Sequence, residues 1–103
     1  MSTEEQLERN LVERIAFVYE QAGLAPMAGR ILARLMLCDP PEQSSAELAE
    51  WLDASPGSIS TQTQLLVRAC MIDRSRRPGS RATWYRLRPK VWARRRARVR
   101  AAA

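Results

Sequence analysis

From residue 3 to residue 22, Leu7, Leu11, Ile15, Val18 and Ala22 recur at steps of three and four, while Glu8, Glu13, Arg14 and Glu20 lie largely off that stripe. This spacing marks one face of an amphipathic helix. Gly23 closes it, as the residue best suited to left-handed backbone just past a helix end. Pro26 opens a second helix running to about Cys38, with Met27, Ile31, Leu35 and Cys38, or Leu32 and Met36, as its inner face. Apolar on more than one side, it is expected to be the central buried helix. Asp39-Pro40-Pro41 ends it, because proline has no N–H to donate and pushes its predecessor out of α space.

Glu42-Gln43 reads as a stub strand. Ser44 and Glu47 then supply the two halves of a capping box for a short helix, 45–53, which buries Leu48, Ala49 and Leu52. The turn at Asp53-Ala54 suits a left-handed residue, which Asp tolerates better than most. Ser55 is a good N-cap and Pro56 a good first residue for a helix from 56 to about 70, with Ile59, Thr63, Leu66, Ala69 and Cys70 inward. Here the period changes. Ile72 to Arg76 reads as a strand, Arg77-Pro78-Gly79-Ser80 as a turn, and Ala82 to Leu87 as the partner strand, with Tyr85 and Leu87 facing in. After Pro89 the tail is helix-capable, basic and short of apolar anchors. The order predicts a mainly α fold with a small β wing: a winged helix-turn-helix of helices, a two-stranded antiparallel hairpin and a C-terminal helix. Residues 1–90 would form one domain with a modest core and 91–103 an arginine-rich helical tail.

Charge changes the picture more than composition does. The net charge is +6, yet residues 1–67 carry four arginines against ten acids, a net of −6. Residues 68–103 carry thirteen bases against Asp73 alone, a net of +12. Positive charge gathered into the last third points to a face built for a polyanion. Cys38 and Cys70 have no metal-ligand spacing and read as two small core residues, and histidine is absent. No nucleophile–base pair, glycine-rich phosphate loop or paired carboxylates stand out, so neither an enzyme nor a cofactor or metal is expected. No apolar stretch reaches membrane-spanning length, and the acidic start is the opposite of a leader. A cytoplasmic protein is expected.

With Ile59 and Leu66 inward, the helix 56–70 turns Gly57, Ser60, Thr61, Gln64 and Arg68 outward. Short hydroxyls, an amide and an arginine without a single acid suit contact with phosphates and base edges. Ser55, Ser58 and Arg74 flank that face. Arg76, Arg77 and Arg81 surround the hairpin turn, where a loop-tip arginine can enter the minor groove. The expectation is a helix 56–70 in the major groove and a wing 74–84 on the minor groove or backbone of double-stranded DNA. A winged-helix RNA-binding or protein-interaction module is the alternative. The helix 3–22 carries more apolar surface than one short partner can cover, so a homodimer is expected, with Leu7, Leu11, Ile15, Val18 and Trp92 at its interface.

Gly23 to Ile31 and Leu37 to Ser44 resemble segments of the GbsR-like branch of MarR regulators, as do Ala46-Glu47-Leu48-Ala49, Ser55 to Thr61, Arg76-Arg77-Pro78-Gly79 and Tyr85-Arg86-Leu87. The likeness runs over roughly residues 5–90. It implies a bacterial transcriptional regulator, usually a homodimer, that reads a near-palindromic operator, with any small-molecule effector left open. Gln64 stands where members usually carry arginine, and Cys70 and Asp53 where they usually carry glycine. The family usually continues into longer C-terminal helices than the single arginine-rich segment here.

Overall fold

The computed structural model describes residues 2–88. Seven elements follow in order: α1 (Thr3–Gln21), α2 (Pro26–Leu37), β1 (Gln43–Ser44), α3 (Ser45–Leu52), α4 (Pro56–Arg68), β2 (Ile72–Arg76) and β3 (Thr83–Leu87). The expected tail helix and Trp92 lie outside the described residues.

Local chemistry sets the helix ends. The Ser2 hydroxyl accepts from the Glu5 N–H at 3.1 Å, and Glu4 and Glu5 sit in the first turn, where carboxylates complement the helix dipole. Gly23 has φ +102°, and the Gly23 and Leu24 N–H groups return to the carbonyls of Glu20 and Tyr19. That pair of bonds closes α1 on its own last turn. The capping box forms as expected: Ser44 Oγ accepts from the Glu47 N–H at 3.1 Å, and Glu47 Oε1 from the Ser44 N–H at 3.2 Å. Asp53 takes φ 51°, the left-handed conformation its turn requires.

The helix α2 runs through the middle of the fold. Its Ile31, Leu32 and Leu35 join Leu48 of α3, Ile59 and Leu66 of α4, Ile72 of β2 and Tyr85 of β3 in one core. Met36, one option for the inner face, is exposed instead. α1 packs on α2 through a face beside its large apolar stripe. Val12 and Ala16 are its buried residues, Ile15 is half-buried, and Leu7, Leu11, Val18 and Ala22 face outward. The reason is a close helix crossing. A Cβ added at Gly29 of α2 would stand 2.9 Å from the Ala16 carbonyl oxygen, so α1 approaches through its small residues and its large ones ride outside. Ion pairs Arg30–Glu13 at 2.9 Å and Arg34–Glu8 at 3.3 Å line the same crossing.

β2 and β3 form the expected antiparallel hairpin, and β1 adds a third strand to it in the order β1-β3-β2. Gln43 pairs with Tyr85 and Ser44 with Trp84, so the stub strand, found at 43–44, ties the hairpin to the start of α3. Ala69 and Cys70 also depart from expectation, being exposed. α4 ends at Arg68, and Cys70 adopts φ 60° with its N–H on the Val67 carbonyl. A residue in that left-handed turn leaves the helix face that points inward.

Candidate nucleic-acid interface

Two elements set the outward face of α4. Ser55 caps the helix, its Oγ accepting from the Ser58 N–H at 3.1 Å. Ile59, Thr63 and Leu66 are buried, which fixes the rotation of the helix. Gly57, Ser60, Thr61, Gln64 and Arg68 are consequently exposed, with Ser55 exposed before them and Ser58 half-buried beside them. Gln64 donates from Nε2 to the Ser60 hydroxyl at 3.3 Å, one turn back along the exposed face. No acid occurs between Asp53 and Asp73. Leu65, which the polar pattern did not single out, is half exposed at the edge of this face.

The wing is locked to α4 by two buried side chains. Thr63 donates its hydroxyl proton to the Ile59 carbonyl at 2.7 Å, and its Oγ1 lies 3.3 Å from the Tyr85 hydroxyl. Cross-strand register then sorts the arginines by face. Arg74 pairs with Tyr85 and Arg76 with Thr83, so both project on the sheet face that carries Tyr85, towards α4. Trp84 pairs with Ser75 and points to the opposite face. There Arg77 stacks over the Trp84 ring at 3.5 Å and pairs with Glu42. Arg88 pairs with Asp73 at 3.1 Å. Arg68, Arg74, Arg76, Arg81 and Arg86 have no acid partner among the described residues. Arg74 and Arg76 are exposed on the α4 side of the wing and Arg81 is exposed just before β3, while Arg77, also exposed, has Trp84 and Glu42 as partners.

Of the α1 residues expected at a homodimer interface, Leu7, Leu11 and Val18 are 57%, 44% and 66% accessible and Ile15 is half-buried. Behind them, Trp51 of α3 is flanked by the Arg9 and Arg34 guanidinium groups, each 4.3 Å from its ring centre. Arg9 also donates to the Trp51 carbonyl at 2.9 Å. These contacts bind α1 to the helix-turn-helix unit, and no local sequence signal marks them. Among the described residues no group of three His, Cys, Asp or Glu could hold a metal ion, and no helix is long and apolar enough to cross a membrane. Burial pushes the Cys38 thiol up from its ordinary pKa, with Arg34 opposing the shift.

No family model matches the chain. The helix-turn-helix transcriptional regulator MmpR5 of Mycobacterium tuberculosis is 44% identical over 82 residues, which is 80% of this chain and 50% of that protein. A crystal structure of a transcriptional regulator superposes with a TM-score of 0.77 at 42% identity, covering 91% of this chain and 65% of its own. A MarR mutant from E. coli solved with operator DNA gives 0.60 at 16% identity, over 85% of this chain and 60% of its own. This chain has the winged-helix fold that these structures share. It spans about half the length of the mycobacterial relative. Within the MarR-type fold, α3 and α4 are the helix-turn-helix and β2–β3 the wing.

Proposed function

We propose that the chain binds double-stranded DNA sequence-specifically as a bacterial transcriptional regulator of the GbsR-like branch, acting in the cytoplasm. Helix α4 enters the major groove and the β2–β3 wing lies on the flanking minor groove or backbone. The carrying observation is the acid-free outward face of α4, with Arg74 and Arg76 on the α4 side of the wing and Arg81 exposed near its turn. Hydroxyls and Gln64 can pair with base edges, while the arginines neutralise phosphates. The names of the two relatives above 40% identity, both transcriptional regulators, support the reading. A homodimer through Leu7, Leu11, Ile15, Val18 and Trp92 would set two recognition helices about one DNA turn apart.

Selection of bound sequences from a random duplex pool tests the reading. The expected result is a two-fold-related motif. Thr61→Ala or Gln64→Ala should then relax discrimination at individual positions by about 1–3 kcal/mol. An unenriched pool, or enrichment only of RNA from a parallel pool, would overturn the assignment.

A further inference from the structure

We propose that Arg77 is a positioning residue that braces the wing tip and not one of its phosphate contacts, an inference that rests on the DNA-binding reading above. Arg77 begins the turn at the end of the hairpin, where Ser80 N–H returns to its carbonyl at 3.1 Å and Gly79 takes φ +77°. Its guanidinium lies flat on Trp84 of β3 and meets the carboxylate of Glu42. Glu42 is itself held: its N–H bonds the Pro40 carbonyl at 2.7 Å, and its neighbours form β1. β1 in turn pairs with β3 at Ser44 and Trp84.

Glu42, Arg77 and Trp84 therefore close a loop from the turn after α2, through the wing tip, to the central strand. Beyond the Arg76–Thr83 pair the hydrogen bonds of the tip lie within the turn itself, so among the described residues the Arg77 contacts are what tie it to the rest of the fold. The stacked face and one edge of Arg77 are both occupied. Half of the side chain stays accessible, but the carboxylate already neutralises the charge that Arg77 would offer a phosphate, which weakens its case as a phosphate contact. Arg76 and Arg81, free of acid partners among the described residues, are placed to contact DNA.

The sign of one substitution separates the readings. Glu42→Ala removes a negative charge, so general electrostatics alone predicts tighter DNA binding. The brace predicts weaker binding. Glu42→Ala and Arg77→Ala should each lower affinity for the selected duplex about three- to tenfold, the scale of an exposed ion pair joined to a cation–π contact. The double variant should be no worse than Arg77→Ala alone. The slope of log affinity against log salt should stay unchanged in Arg77→Ala, because loss of a phosphate contact would reduce it by about 0.9. In the protein without DNA, both variants should speed amide hydrogen exchange between Ser75 and Trp84 by similar factors. Tighter binding by Glu42→Ala with a shallower slope for Arg77→Ala would overturn the brace, as would unchanged exchange in both variants. A wild-type protein that binds no duplex would instead overturn the DNA-binding reading and leave the exchange experiment to decide the brace.

Discussion

Gly29→Ala is expected to destabilise the protein although it replaces a poor helix former with the best one. In an open helical position the exchange gains up to about 1 kcal/mol. At Gly29 the new Cβ would stand 2.9 Å from the Ala16 carbonyl oxygen and 3.2 Å from the Ala16 Cα, with Tyr19 Cβ at 3.4 Å. The first two atoms are backbone, so α1 must move as a unit. Overpacking of this kind costs about 1–3 kcal/mol. The net effect is a loss of about 0–2 kcal/mol. Gly57→Ala in α4 is the control, because a Cβ there meets nothing within 4 Å. Urea unfolding of both variants measures the contrast: Gly57→Ala should equal or exceed wild type, and Gly29→Ala should fall about 1–3 kcal/mol below that control. Equal stabilisation in both would show that α1 does not approach α2 this closely and would remove the explanation for its outward Leu7, Leu11 and Val18.

Cys70, exposed, should react with a thiol reagent in the folded protein, whereas Cys38, buried, should react only on unfolding. Because burial raises the Cys38 pKa above its unfolded value, its protonated form supports the fold, and stability should fall as pH rises through the thiol range. Cys38→Ser should abolish that dependence, and its persistence would reject the assignment. Wild type should sediment as a dimer at micromolar concentration and Leu11→Glu as a monomer. A monomeric mass for both would refute the α1 interface.

Features set by neighbouring residues were legible in the sequence. The Ser44–Glu47 box, the left-handed Asp53, the Gly23 stop and the Ser55-Pro56 start each need only a few residues of one segment. The outward polar face of α4 followed as well, because Ile59 and Leu66 fix its rotation. Contacts between distant segments were not legible. The inner face of α1 depends on Gly29 across the crossing, and hydrophobic periodicity favours large residues over the small ones that allow close approach. The third strand depends on residues 43–44 meeting residues 84–85. Cys70 looked buried from its apolar neighbours, but the helix had already ended at Arg68. The contacts of Arg77 with Glu42 and Trp84 likewise join segments far apart in sequence.

The most direct test of the central claim is the affinity for the selected duplex and for a scrambled one, each measured across a salt series. From residue 68 onward, five described arginines, Arg68, Arg74, Arg76, Arg81 and Arg86, lack acid partners among the described residues. If these and one further base neutralise about six phosphates, log affinity should fall against log salt with a slope of roughly −5. The selected duplex should bind at least about a thousandfold more tightly than the scrambled one at physiological salt. A slope near zero, or equal affinity for the two duplexes, would contradict sequence-specific DNA binding by α4 and the wing.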